Sequence, residues 1–182
     1  MTRIKTLDRA AYPWYIRLIF WGQERKYGKV LGPAYLWGRV PALMLGLQIY
    51  YRFLDRKSSL LDKSLRALVS LRISQLNHCA FCFDLSSSFI AKLGIPDAKL
   101  AALADFRTSE DYGGREKAAL AYAEDVTKTG SAVEERVFTE LKRHFSEEEI
   151  VELTGWIAFQ NLSSKFNAAL DVPAQGFCLR PK

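Results

Sequence analysis

Cys79-Ala-Phe-Cys82 is the pair in this 182-residue chain whose type and spacing most directly support chemistry. Two cysteines at i and i+3 lie together on the first turn of a helix. Asn77 is read as the N-cap, which puts one or both sulfurs near free backbone N–H groups and the positive end of the helix dipole. Both effects favour the thiolate, the form that attacks peroxides and disulfides. The second thiol can close a disulfide on an oxidised first thiol. Spacing alone does not rank the two cysteines. Inert packing of two small apolar side chains is the competing reading. Metal binding is a third, but the remaining candidates, Cys178, His78 and His144, show no ligand spacing.

Three neighbours are candidates for supporting roles. His78 precedes Cys79 directly; as an imidazolium it would lower that thiol's pKa, and otherwise it is a surface or packing histidine. Asp84 either faces the dithiol or serves as a first-turn acid on the helix dipole. Ser86 can donate a hydrogen bond but is no base, and Ser86-Ser-Ser88 also reads as a small close-packing face. Cys178, beyond Pro173 and Gly176, reads as a bystander thiol in a tail, or as one that a mobile tail brings to the dithiol.

The elements that must position these residues read as helical. Alternating apolar runs and Asn-Gly or Asp-Gly hairpin signals are scarce or absent. Pro13 opens a helix ending near Gly28, Gly32-Pro33 breaks the chain, and an apolar segment from about Ala34 to Phe53 restarts or kinks at Pro41. From Asp62 a helix runs through Leu65, Leu68, Val69, Ile73 and Leu76 to Asn77-His78, with Arg72 as a polar intrusion. The cysteine helix begins around Cys79 and stops at Gly94. Short helical segments follow from Pro96 to about Ala104 and from Lys117 to Thr127. Ser131 to Glu134 and Ser146 to Glu149 both have capping-box patterns. The last helix, about Glu147 to Leu170, lacks a broad polar face, so it is central or shared with another subunit. Its Gln160, Asn161, Ser163, Ser164 and Asn167 must find partners when buried, either across helices or around a pocket near the dithiol. Trp156 and Phe159 read as core.

Composition narrows the function classes. Hydrophobic residues make up 49% and charged residues 25%, which excludes a disordered chain. Three cysteines are too few for a disulfide-stapled secreted scaffold. The net charge of +6 first points to nucleic acid or membrane. Its placement weakens that hint and confines it to the N-terminal third: residues 1–57 hold 11 Lys/Arg against 3 Asp/Glu, and residues 58–182 hold the other 15 against 17. We therefore expect a basic, aromatic N-terminal helical extension (1–57) packed as one domain with a mildly acidic core (58–182). Nucleic-acid binding and membrane contact are not expected. With no signal peptide or spanning run in view, the expected location is the cytoplasm.

The stretch Leu71-Arg-Ile-Ser-Gln-Leu-Asn-His-Cys-Ala-Phe-Cys-Phe-Asp-Leu85 resembles the core of the carboxymuconolactone decarboxylase superfamily, most closely its alkylhydroperoxidase D-like branch. Phe159 to Pro173 resembles the family's closing helix, and two motifs agree in order and spacing across about residues 58–175. The resemblance implies an all-α, alkylhydroperoxidase D-like helical bundle assembling as a homo-oligomer (dimer, trimer or hexamer). It also implies a Cys79/Cys82 dithiol that reduces hydroperoxides, with Cys82 attacking and Cys79 resolving. No metal or organic cofactor is implied; a thiol or dithiol reductant is. The match departs at the family's proton relay: its glutamate falls on Ala67, its histidine after the second cysteine on Ser86, and a histidine before that cysteine on Phe81. The alternative is thus a weakened member acting in redox sensing, binding or assembly.

Overall fold

The computed structural model describes residues 2–178, and among them it is all helical. The helices are α1 (Trp14–Tyr27), α2 (Gly32–Trp37), α3 (Pro41–Leu54), α4 (Lys63–Leu76), α5 (Ala80–Lys92), α6 (Asp97–Ala101), α7 (Gly114–Thr127), α8 (Glu135–Lys142) and α9 (Glu147–Ala169). Short 3₁₀ turns cover Arg9–Ala11 and Ala102–Asp105. The all-α fold read from the sequence is the fold observed.

Local chemistry sets most of these boundaries. Pro41 occupies the first turn of α3, where its missing N–H costs nothing. Gly28 ends α1 with φ +76°, a conformation that only glycine adopts without strain. The Asp62 carboxylate caps α4 by accepting the Leu65 N–H at 2.7 Å. Ser146 and Glu149 form the expected capping box on α9. The box expected at Ser131 is not made. Residues 131–134 are not helical, Glu134 takes the N-cap position of α8 without a side-chain capping bond, and its N–H goes to the Asp125 carboxylate at 3.2 Å.

The main core lies where α4, α7 and α9 meet, with α5 and α8 packed alongside. Leu68, Ile73, Leu120, Leu153 and Ile157 are fully buried there, each removal from water being worth roughly 1.5–3 kcal/mol. Arg72, the polar intrusion on α4, is explained by Glu124 of α7, which accepts from its Nε at 2.6 Å. Glu124 also pairs with Arg107.

The polar residues of α9 mostly find partners across helices. Trp156 Nε1 donates to Ser70 Oγ (2.9 Å), Gln160 Nε2 to Ser74 Oγ (3.1 Å), and Asn161 Nδ2 to Thr127 Oγ1 (3.0 Å). A second apolar cluster, with Tyr12, Ile16, Phe20, Val30, Ala34 and Met44, joins α1, α2 and α3. Among the described residues, no helix is long and apolar enough to cross a membrane.

Candidate functional site: a dithiol at the edge of an aromatic cavity

α4 and α5 are joined by a turn of three residues. Its hydrogen bonds fit a Schellman motif: His78 N–H to Gln75 C=O at 3.1 Å and Cys79 N–H to Ser74 C=O at 3.0 Å. His78 fills the left-handed position of that motif, with φ +51°, where glycine or asparagine is usual. Its side chain is exposed. Asn77 is not the N-cap of α5. It is the C-cap of α4, and its side-chain N–H groups donate to Asn161 Oδ1 (2.8 Å) and Ser164 Oγ (2.7 Å) of α9. Two extra residues of turn place the cap at Cys79, whose own sulfur accepts the Cys82 N–H at 3.1 Å.

Cys79 and Cys82 are joined as a disulfide, with Cα atoms 5.3 Å apart. Both are buried in an apolar cluster with Leu36, Phe81 and Val172. The two sulfurs differ in surroundings. Cys79 points into the turn and holds the helix N-terminus. Cys82 accepts an N–H from Asn167 Nδ2 of α9 at 3.3 Å and borders a cavity of about 450 Å³.

That cavity was not legible from the motif. Cys82, Phe81, Leu85, Ser86 and Phe89 of α5 form one wall. The opposite wall comes from the N-terminal helices, through Tyr27 of α1, Trp37 of α2, and Met44, Gln48 and Tyr51 of α3. Phe159, Gln160 and Ser163 of α9 complete it, so Phe159 is a lining residue as well as a packing one. Trp37 stacks on Phe166 of α9 at 3.7 Å between ring centroids, fixing α2 against the bundle.

Among the described residues, the lining lacks any carboxylate or imidazole. Its ionisable groups are Lys26, Tyr27 and Tyr51. Burial drives the Tyr51 phenol well above its ordinary range, so it stays neutral, and it donates to Asp55 at 3.3 Å. Ala67 packs against the main core, and Phe81 is buried. Ser86 lies one turn beyond Cys82 and lines the cavity, and its hydroxyl makes no hydrogen bond among the described residues. It is a free hydroxyl at the position where the sequence resemblance implies an imidazole.

Asp84 is occupied by the C-terminal tail. Its Oδ2 accepts the N–H groups of Gln175 (2.8 Å) and Phe177 (3.0 Å), and Oδ1 accepts that of Cys178 (2.8 Å). Burial alone would push its carboxyl up. The N–H groups of Cys178, Phe177, Gln175 and Gly176 outweigh that and hold it below the usual carboxylate range. The tail is therefore anchored, and Cys178 is a free thiol beside the start of α5. No signal in the sequence marked this latch, because its donors are main-chain groups.

Residues 41–125 match the carboxymuconolactone decarboxylase family, a span that begins at α3 and takes in the dithiol. The protein YnjA of Escherichia coli (strain K12) is 41% identical over 170 residues, covering 93% of both chains. An alkylhydroperoxidase AhpD core protein from Ralstonia eutropha JMP134, described as peroxidase-related, superposes with a TM-score of 0.86. It covers 100% of this chain and 98% of its own at 24% identity, a likeness of fold. The debrominase Bmp8 superposes with a TM-score of 0.80 at 25% identity, covering 94% of this chain and 91% of its own.

Proposed function

The chain belongs to the carboxymuconolactone decarboxylase family, and from that premise we propose that it is a thiol-dependent oxidoreductase that reduces hydroperoxides through the Cys79/Cys82 dithiol. One observation carries the reading: Cys82 borders the cavity while Cys79 sits behind it at the helix cap. The Cys82 thiolate attacks the outer oxygen of a hydroperoxide. The O–O bond breaks, Cys82 becomes a sulfenic acid, and the alkoxide takes a proton to leave as an alcohol. The Cys79 thiol then attacks the sulfenic sulfur, water leaves, and the disulfide closes. A dithiol reductant returns the two electrons by exchange. With no carboxyl or imidazole in the lining, the leaving alkoxide draws its proton from water or a hydroxyl, so turnover is slow.

Peroxide consumption with a dithiol donor tests this beside Cys79→Ser and Cys82→Ser. Loss of turnover in both variants, with a single stoichiometric reaction left in Cys79→Ser, supports the assignment. Undiminished turnover in Cys82→Ser overturns it.

A second reading is supported by the aromatic lining and the likeness to Bmp8. In reductive dehalogenation the same two electrons convert an aryl C–Br bond and a proton to C–H and bromide, and the dithiol again closes. Bromide release from a bromopyrrole without peroxide turnover supports this reading over the first. A dithiol that cycles with its redox buffer and turns over neither substrate supports redox sensing.

A further inference from the structure

We infer that Asn167 is the group that sets the ionisation of Cys82, in place of the carboxyl and imidazole absent from the lining. The observation is a buried amide with one satisfied end. Asn167 is 1% exposed. Its Nδ2 donates to the Cys82 sulfur at 3.3 Å, and its Oδ1 is buried without a partner among the described residues. Its backbone is fixed, since the Asn167 C=O accepts the Val172 N–H at 2.9 Å where α9 ends. Buried amide oxygens are almost always satisfied, and an orphan beside a reactive atom calls for an explanation.

The explanation lies in the states of the sulfur. In the disulfide, Cys82 carries no proton and can only accept, so the amide presents its N–H. As a thiolate it accepts the same N–H more strongly, because the acceptor is charged. As a thiol it carries an S–H, which a half-turn of the amide meets with Oδ1. The amide therefore has a partner in every state, and its strongest bond is to the thiolate. That preference lowers the pKa of Cys82. An amide neither takes nor gives a proton at neutral pH, so Asn167 sets the charge on the sulfur without shuttling protons.

The ionisable groups around this pair are few. Asp84 on the same helix is bound to tail N–H groups, and His78 in the preceding turn is exposed. Lys26, Tyr27 and Tyr51 line the shared cavity from α1 and α3, and Cys178 lies in the tail.

The inference concerns Cys82 as a nucleophile and is read without any peroxide or halide. With Cys79→Ser and Cys178→Ser in place, Cys82 is the single thiol. Its alkylation by iodoacetamide is followed against pH, with Asn167 intact, as Asn167→Leu and as Asn167→Asp. Both variants are expected to move the alkylation midpoint to higher pH. Below the midpoint, alkylation slows by about tenfold for every tenfold fall in the thiolate fraction. Asn167→Asp should raise the midpoint further, since a carboxylate repels the thiolate. Unchanged midpoints in folded variants overturn the inference. Should neither variant fold, the Asn167 side-chain ¹⁵N resonance in the Cys79→Ser, Cys178→Ser protein is followed through the same titration. It is expected to move with the Cys82 midpoint, and a resonance that stays still overturns the inference. A low midpoint without peroxide turnover would leave this inference standing and remove the hydroperoxide reading.

Discussion

At the scale of single residues, the site separates positions that look alike in sequence. Cys79 and Cys82 are equivalent in the motif, yet one caps a helix and the other meets a cavity. The spacing marked both as a dithiol because i, i+3 geometry is local. It could not say which faces the cavity, because the cavity's far wall comes from residues more than thirty positions away. His78 is similar. Its place before Cys79 invited an electrostatic role, whereas its backbone does a turn residue's work at φ +51°. A non-glycine residue there carries a penalty of roughly 1–2 kcal/mol per residue. His78→Gly is therefore expected to stabilise the fold by about 1 kcal/mol, the entropy of the freer unfolded chain offsetting part of the relief. Urea denaturation measures it. A destabilised variant would show that the imidazole makes contacts worth more than the strain. A slower reaction of Cys79 with alkylating agents would restore the electrostatic role.

At the scale of elements, helix ends were legible where punctuation is chemical: Pro41, Gly28, Asp62 and Ser146 mark boundaries through their own side chains or lack of one. The Ser131 box failed because a rival acceptor, Asp125, claimed the N–H of Glu134 from a preceding helix. The tail was illegible for the same kind of reason. Its anchor joins the Asp84 side chain to backbone donors, and sequence patterns do not record backbone donors. The anchor also stitches α5 to the N-terminal helices, since Gln175 accepts the Gly32 N–H through Oε1 at 2.6 Å and donates to the Val30 C=O at 3.2 Å. Because the folded Asp84 ionises at lower pH than a free carboxyl, the latch contributes fully above the ordinary carboxylate range. It is lost as pH falls through the lowered folded value. Amide hydrogen exchange at 175, 177 and 178 should therefore stay protected down to the ordinary carboxylate range and open only in stronger acid. Asp84→Ala should expose the same amides at neutral pH and cost about 1–3 kcal/mol of stability. Protection that survives Asp84→Ala would assign the anchoring to Phe177 packing on Tyr27 and Phe81 instead.

At the scale of the whole molecule, the charge excess of the first third acquires a location. Those helices wall the cavity, with Lys26 among the lining residues, and their aromatic rings face inward at Tyr27, Trp37 and Tyr51. Other apolar residues of the same helices face outward without cover. Leu43, Ile49 and Phe53 of α3 stand exposed, Phe53 at 67%, and Tyr50 shares a surface groove with Leu60 and with Val151 of α9. One helix thus presents a lining face to the cavity and an apolar face to solvent, a pattern that marks an association surface more often than a free one. α9, which lacks a broad polar face, contributes Val151 at 72% exposure to the same region. Self-association through α3 would cover these side chains and stiffen the cavity wall. Burying Phe53 is worth roughly 1.5–3 kcal/mol, so Phe53→Glu should weaken self-association by at least tenfold. Light scattering coupled to size exclusion should give a wild-type mass of two or more chains, and Phe53→Glu should move it toward one. A monomeric wild type, or an unchanged mass in the variant, would show that α3 meets solvent in the working protein. The cavity wall would then be held by contacts within one chain, among them the Trp37–Phe166 stack, the Tyr51–Phe159 ring pair and the Gln175 hydrogen bonds.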